Sequence, residues 1–113
     1  LFVDPDPAQL EAAARTRAPC VELHTGAYCG ASGAAARREL ERLVAGARLA
    51  HKLGLRVNAG HGLNLENIGG ALRMPFLDTL NIGHSIVARA VLVGMAAAVR
   101  EMRRAMRAYR GGE

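Results

Sequence analysis

Aromatic side chains are scarce in this 113-residue chain: they make up 4% of it, and tryptophan is absent. Surfaces that bind single-stranded nucleic acid stack bases on aromatic rings, so this scarcity argues against that function. The net charge of +5 nevertheless makes nucleic-acid binding a function to consider, because basic patches attract phosphate backbones. However, the arginines near the C-terminus recur at helical spacing, which indicates a solvated face or a subunit contact. They are Arg100, Arg103, Arg104, Arg107 and Arg110. We therefore expect no nucleic-acid partner.

Cysteines and long apolar runs are also scarce. Cys20 and Cys29 are the only two cysteines, and their spacing matches no zinc or redox motif, which favours reduced thiols. No apolar run approaches the roughly 18–20 residues of a membrane-spanning helix. The first residues lack the basic segment and cleavage site of a signal peptide. We therefore expect a cytoplasmic protein with no membrane partner.

Apolar residues are abundant: they make up 50% of the chain, enough for one small domain with a core. Four β-like runs alternate with helical stretches. The predicted strands are residues 1–4, 20–25, 55–59 and 79–82, and the long predicted helices are 7–17, 34–53, 86–95 and 96–109. This alternation predicts an α/β fold with parallel strands and right-handed crossovers.

The connections between these elements carry turn and capping signals. Asp6 is a predicted N-cap, with Pro7 at the first helical position and Gln9 completing a capping box. Residues 26–33, rich in glycine and alanine, are a predicted loop. Asn64 is predicted to cap a short helix that Pro75 breaks.

One face of the predicted sheet is polar. Successive residues of a strand point to opposite faces, so Glu22 and His24 share a face of the second strand. The same alternation assigns five polar residues to this face: Asp4, Glu22, His24, Asn58 and Asn81. An open antiparallel sheet with one face in solvent is the alternative, but parallel sheets are rarely exposed on one side. The pattern favours a polar barrel interior used for chemistry.

A doubly wound nucleotide-binding sheet is the other parallel fold to consider. It would carry a GxGxxG turn after its first strand, where this chain has none. A complete (β/α)8 barrel needs about 250 residues. We therefore predict an α/β fold of the (β/α)8 TIM-barrel type. Residues 1–113 would form about the last four βα units, the C-terminal half of a single barrel domain.

The predicted active site lies at the carboxyl ends of the strands, as in other barrels. Two of these ends read Gly-His-Gly at residues 60–62 and Gly-His-Ser at residues 83–85, and the second leads directly into a helix. Free N–H groups at a helix start bind phosphate, and glycine lets the ligand approach closely. The pattern predicts a phosphate site on these loops. The alternative is that the glycines only make tight turns and the histidines hydrogen-bond locally.

His61 and Glu22 are the candidate catalytic residues. An imidazole between two glycines is exposed and suits general acid–base catalysis. An inward-pointing carboxylate suits stabilisation of a developing cation. Glu22 with the histidines of the strand ends would also suit a metal ion, although the HxH pair typical of metal-dependent barrel hydrolases is absent. A metal site is therefore the alternative at this point.

Four segments of the chain resemble the pyridoxine 5′-phosphate synthase family, in that family's order and rough spacing. They are FVDPD at residues 2–6, VELHTGAY at 21–28, VNAGHGLN at 57–64 and LNIGHSI at 80–86. The resemblance covers essentially all 113 residues. It is specific, since we know no other barrel family that combines HTG, NAGHGL and NIGH.

The resemblance implies a reaction and residue roles. The family condenses 1-deoxy-D-xylulose 5-phosphate with 3-amino-2-oxopropyl phosphate, releasing phosphate and water and closing the pyridine ring of vitamin B6. His61 would donate a proton, and Glu22 would stabilise charged transition states. Gly62, Gly83 and His84 would hold the phosphate of the aminoketone. The resemblance also implies a cytoplasmic homo-oligomer that acts on small phosphorylated substrates without a metal ion or cofactor.

The chain departs from the family in its extent. The family's barrel has eight strands, and four are predicted here. The first half would bring another catalytic histidine, a catalytic glutamate and the residues that hold the sugar phosphate. Since the chain begins in mid-strand without Met, we expect a fragment. Two alternatives stay open: an inactive or partner-dependent half-barrel, and another phosphate-binding TIM-barrel enzyme.

The chain alone is expected to have little or no synthase activity, because part of the catalytic machinery would lie in the absent strands. The pure 113-residue protein would be assayed for product with and without a separately expressed first half. Size-exclusion mass would separate a paired barrel from a monomer. Turnover at normal enzyme rates by the chain alone would refute the expectation.

Overall fold

A computed structural model describes residues 1–111, which form an α/β fold. The strands are β1 (Phe2–Val3), β2 (Cys20–His24), β3 (Arg56–Gly60) and β4 (Leu77–Asn81). The helices are α1 (Pro7–Arg15), α2 (Gly26–Cys29), α3 (Gly33–Lys52), α4 (Ile68–Ala71), α5 (His84–Val93) and α6 (Met95–Met106). The predicted alternation of strands and helices is therefore confirmed.

All strand pairs in the described part of the chain are parallel, and the strand order is β1-β2-β3-β4. Glu22 is paired with Phe2 on one side and with Asn58 on the other. This pairing excludes an open antiparallel sheet. The order also lacks the reversal that marks a doubly wound sheet. Because every strand runs the same way, their carboxyl ends meet at one edge.

The hydrophobic core lies between one face of the sheet and α1 and α3. Val21, Leu23, Val57 and Ala59 alternate along β2 and β3, and each is at most 1% exposed. They pack with apolar residues of the helices, including Leu10 and Leu43. On the opposite face, Glu22, His24 and Asn58 are only partly buried. The predicted separation into an apolar and a polar face is confirmed for β2 and β3.

Asp4 does not belong to the polar face, so that part of the prediction is wrong. β1 ends at Val3, and the chain turns directly afterwards, where the Asp6 N–H donates to the Asp4 carbonyl (2.7 Å). The Asp4 carboxylate instead pairs with Arg42 of α3 at 2.7 Å. Alternation between the faces holds only while the chain stays extended. Hydrogen bonds to Glu39 and then Asp4 raise the pKa of the Arg42 guanidinium.

The start of α1 follows its capping signal. Asp6 accepts a hydrogen bond from the Gln9 N–H at 3.1 Å, and Pro7 is the first helical residue. In a standard capping box the Gln9 side chain would accept a hydrogen bond from the N–H of Asp6. Here it accepts one from the N–H of Asp4 instead. The predicted N-cap at Asp6 is thus confirmed, and the bond to the Gln9 side chain comes from a residue two positions before the N-cap.

Two predicted connections differ from the structure. Residues 26–33 were expected to be a loop, but they contain α2, which begins directly after Thr25. The short helix expected from Asn64 begins only at Ile68 and ends at Ala71, before Pro75. The Asn64 side chain accepts hydrogen bonds from the N–H groups of Glu66 (2.9 Å) and Asn67 (3.0 Å). This local turn competes with helix formation at Asn64.

α5 and α6 pack on each other and leave apolar side chains uncovered. Arg89 of α5 donates two hydrogen bonds to the Glu101 carboxylate of α6, at 2.9 and 3.2 Å. On α5, Val91 is 81% and Leu92 78% exposed, and no residue of that helix is buried. The five arginines of the C-terminal cluster are all exposed. No helix within residues 1–111 is long and apolar enough to cross a bilayer.

Substituting Gly46 by alanine is expected to lower the free energy of unfolding by about 1–3 kcal/mol, because overpacking strains a core. An added Cβ would lie 2.8 Å from the Cβ of Pro5. The matched control is Gly69→Ala in α4, where no atom lies within 4 Å of an added Cβ. That variant should be unchanged or more stable by up to about 1 kcal/mol. Urea unfolding of both proteins measures the difference, and equal midpoints would contradict the packing of Pro5 on α3.

Candidate active site

An open cavity of about 630 Å³ lies at the carboxyl ends of the strands. It is lined by Phe2, Glu22, His61, Gly62, Leu63, Asn64, Asn81, Ile82, Gly83, His84 and Ser85. All five residues singled out from the sequence are among them: Glu22, His61, Gly62, Gly83 and His84. The structure thus brings these residues together at one place, and their chemical roles remain predictions.

Glu22 is held in the middle of the sheet by a neighbouring amide. The Asn81 side-chain N–H2 group on β4 donates to the Glu22 carboxylate at 2.7 Å. Between them lies Gly60 of β3, where an added Cβ would collide with the other carboxylate oxygen of Glu22. The absence of a side chain at Gly60 therefore lets the carboxylate of β2 reach across to β4. Asn81 was assigned to the polar face by its alternation but not recognised as the partner of Glu22.

His61 follows β3 directly and has a left-handed backbone with φ of +84°. Non-glycine residues adopt this conformation only where the surroundings impose it. The conformation brings the His61 imidazole beside the His24 ring, with centroids 4.9 Å apart, and 6.3 Å from Phe2. His61 is exposed at the cavity. Its imidazole can therefore exchange protons with a bound ligand.

Gly62 also has a left-handed backbone, with φ of +79°. A Cβ at this position would lie 2.9 Å from the Cβ of Cys29 in α2. Cys29 packs below the loop, and its thiol donates to the His61 carbonyl at 3.5 Å. Burial raises the pKa of that thiol, which keeps it protonated and able to donate. Glycine is thus required at residue 62 because the backbone is left-handed and because Cys29 leaves no room for a side chain.

The second loop of the cavity ends at α5. Gly83 is the N-cap of this ten-residue helix, and nothing lies within 4 Å of an added Cβ there. The first N–H groups of a helix have no partner inside the helix, so those that follow Gly83 can bind an anion. The Ser85 hydroxyl donates to the Leu63 carbonyl at 2.6 Å. This bond joins the two loops into one wall of the cavity.

Tyr28 and His51 do not line the cavity, and their contacts are with other parts of the fold. The Tyr28 hydroxyl donates to the Asn67 carbonyl at 2.7 Å, and its ring packs over Gly70. Burial, and then the nearby Cys29, raise the pKa of this phenol. His51 is exposed on α3, and its ring stacks on that of Phe76 with the centroids 3.8 Å apart.

The donor atoms near the cavity do not form a metal cluster. Within residues 1–111, no group of three or more His, Cys, Asp and Glu side chains could hold a metal ion. The Glu22 carboxylate is engaged by Asn81, and the His24 and His61 rings lie against each other. Cys20 and Cys29 are both free thiols.

The structure therefore defines an α/β protein whose parallel strands end at one cavity, which an imidazole, a carboxylate and the start of a helix line. The model of one protein family, described as pyridoxal phosphate biosynthesis protein PdxJ, matches residues 1–108. The chain therefore belongs to this family, which agrees with the resemblance found in the sequence.

Curated relatives of the chain are named pyridoxine 5′-phosphate synthase. The protein of Synechococcus sp. (strain JA-2-3B'a(2-13)) is 59% identical over 107 residues, which cover 94% of this chain and 45% of the relative. The protein of Akkermansia muciniphila is 55% identical, covering 94% and 44% respectively. The protein of Thermosynechococcus vestitus is 56% identical, covering 91% and 44%. The chain thus spans less than half the length of these relatives.

The two glycines of the cavity wall should respond differently to alanine. Gly62→Ala is expected to cost about 2–4 kcal/mol of unfolding free energy, from left-handed strain of about 1–2 kcal/mol and overpacking against Cys29. Gly83→Ala, the matched variant, has an unstrained φ of −122° and open space, so its cost should stay below about 1 kcal/mol. Thermal unfolding followed by circular dichroism tests both. Equal destabilisation of the two variants would contradict the geometry of the loops.

Proposed function

We propose that the chain forms half of a (β/α)8 barrel that further strands complete. The four strands are parallel and follow chain order, and β1 and β4 each have one unpaired edge among the described residues. Val91 and Leu92 of α5 are exposed apolar surface of the kind that another element covers. The side-chain oxygen of Asn58, on the polar face, is buried without a partner within residues 1–111. Such groups are normally satisfied, so a donor from further strands fits here.

We infer that the completed barrel is a pyridoxine 5′-phosphate synthase. The observation that carries this proposal is the meeting of Glu22, His61, Gly62, Gly83 and His84 at one cavity in a chain of this family. The reaction would be the condensation of 1-deoxy-D-xylulose 5-phosphate with 3-amino-2-oxopropyl phosphate. It releases phosphate and water and closes the pyridine ring of pyridoxine 5′-phosphate.

The phosphate of the aminoketone would bind at the start of α5. The first residues of α5 line the cavity together with Gly83, and the positive end of the helix dipole favours an anion there. Gly83 offers open space for close approach, and His84 adds an exposed imidazole. Gly62 faces this point from the neighbouring loop, which the Ser85–Leu63 hydrogen bond holds in place.

His61 would supply the proton that the loss of water requires. A leaving hydroxyl departs as water only when an acid protonates it, and a histidine exposed at the cavity is suited to that transfer. Glu22, held by Asn81, would stabilise positive charge that develops on the condensing amine. Because Asn81 fixes the carboxylate before substrate binds, little reorganisation would be needed during the reaction.

The remaining strands would hold the sugar phosphate and further catalytic groups. The chain alone would then be inactive, and its exposed apolar surface on α5 favours a second reading as a partner-dependent half-barrel. The assembled protein would be a homo-oligomer that acts on small phosphorylated molecules and binds no nucleic acid. A cytoplasmic location agrees with the two free thiols.

His61→Asn is expected to lower kcat of the complete enzyme by 10²–10⁴-fold, about the usual contribution of a general acid. The affinity for inorganic phosphate should change by less than about threefold, since the backbone N–H groups of α5 are retained. His51→Asn is the matched control, because that histidine is exposed on α3 outside the cavity and should leave both quantities unchanged. Steady-state kinetics and phosphate titration by calorimetry measure them. A large loss of phosphate affinity in His61→Asn would assign that histidine to binding and overturn its role as the acid.

A further inference from the structure

Thr25 is a buried hydroxyl directly beside the cavity. Among residues 1–111 it is the only polar or charged residue in the buried class, with 0% exposure. It lies at the corner where β2 ends and α2 begins. Buried hydroxyls are stable only where they are hydrogen-bonded, so the partners of Thr25 indicate what the hydroxyl does.

The Thr25 hydroxyl is hydrogen-bonded to two consecutive backbone carbonyls, those of Gly60 and His61. The Thr25 hydroxyl lies 2.6 Å from the Gly60 carbonyl and 2.5 Å from the His61 carbonyl, so its single proton is shared between them. The Thr25 N–H donates to the same Gly60 carbonyl at 2.9 Å. These bonds join residues 35 and 36 positions apart in the chain.

The backbone at His61 needs such support. Its φ of +84° is unfavourable for a residue with a Cβ, and the next residue, Gly62, is left-handed too. The buried hydroxyl of Thr25 contacts the carbonyls of both Gly60 and His61, directly before and after this φ angle. A chain free to relax to negative φ would carry the imidazole away from its present place.

The residue after Thr25 contacts the ring of His61 as well. A Cβ at Gly26 would lie 3.2 Å from Cδ2 of His61 and 2.8 Å from ring atoms of His24. The imidazole of His61 is therefore packed over the Gly26 backbone and beside the His24 ring. Residues 24–26 thus contact His61 in three ways. Thr25 binds its backbone carbonyl, Gly26 lies under its ring, and the His24 ring lies beside it.

We propose that Thr25 is a positioning residue for His61: its hydroxyl holds the left-handed backbone that aims the imidazole into the cavity. The inference rests on the proposed function of His61 as the proton donor. Thr25 itself does not touch substrate, since the cavity lining does not include it. A displacement of about 1 Å at a catalytic group can cost about 100-fold in rate, so the hydroxyl should matter for kcat more than for KM.

The test compares Thr25→Val, which keeps the shape and removes the hydroxyl, with Thr25→Ser, which keeps the hydroxyl. Thr16→Val is the matched control, because its hydroxyl also donates to a carbonyl (Ala13, 2.7 Å) but lies in the turn after α1. In the complete enzyme, Thr25→Val should lower kcat about 100-fold with KM within threefold. Thr25→Ser and Thr16→Val should keep kcat within threefold.

A second readout does not need activity. In the 113-residue protein, a nuclear Overhauser contact between the His61 ring proton on Cδ2 and the Gly26 Hα protons reports the ring position. It should be present in the unchanged protein, in Thr25→Ser and in Thr16→Val, and it should disappear in Thr25→Val. If Thr25→Val does not fold, Thr25→Ser carries the test, since a folded serine variant that loses the contact contradicts the proposal.

The outcomes separate this inference from the proposed function. If His61→Asn abolishes turnover while Thr25→Val keeps both its kcat and the Overhauser contact, the positioning role is wrong and the acid role stands. If His61→Asn leaves kcat unchanged, the acid role is wrong. The Overhauser contact then still decides whether Thr25 holds the ring. Loss of kcat in Thr25→Val together with an equal loss in Thr25→Ser would overturn the role of the hydroxyl.

Discussion

Parallel pairing of β2 with β3 and of β3 with β4 is the constraint on which the site depends, because it brings three strand ends to one edge. Gly60 and Asn81 are paired on β3 and β4, whereas Glu22 is paired with Asn58, two residues before Gly60. The carboxylate of Glu22 therefore reaches the amide of Asn81 diagonally, across the glycine. A slip of one residue would turn Glu22 into the core. The buried row that includes Val21, Leu23 and Val57 opposes such a slip, since it would expose those side chains.

The wall of the cavity is built from backbone more than from side chains. His61 and Gly62 are left-handed, Gly83 caps α5, and the hydroxyls of Thr25 and Ser85 donate to carbonyls of the loop after β3. Such an arrangement places backbone groups and one imidazole at the cavity without burying charge. It also explains why a neutral hydroxyl, rather than an ionised side chain, occupies the buried corner at Thr25.

The described residues also have surfaces that a complete domain would cover. The proposed further strands would cover the free edges of β1 and β4 and the exposed valine and leucine of α5. They would also supply a donor to the Asn58 oxygen, which has no partner among residues 1–111. The chain matches less than half the length of its curated relatives, which agrees with that need. Open strand edges promote aggregation, so the proposed half-barrel would depend on further strands to cover its edges.

The sequence by itself determined the order of the strands and the long helices, and the two faces of β2 and β3. It also determined the family, through the glycine–histidine segments after the strands. These features depend on local propensity, alternation and motif, which are legible along the chain. The N-cap at Asp6 could be predicted in the same way, because its hydrogen-bond partner, Gln9, lies only three residues away.

Only the tertiary structure decided which residues touch across the fold. Asp4 lies outside the polar face because the chain turns after Val3, and its carboxylate instead meets Arg42, 38 residues away. Asn81 became the partner of Glu22 across 59 residues, and Thr25 the partner of the His61 backbone across 36. The left-handed backbone of His61 has no signal in the sequence, since local preference disfavours it there. Contacts between distant residues impose it, and periodicity along the chain carries no information about such contacts.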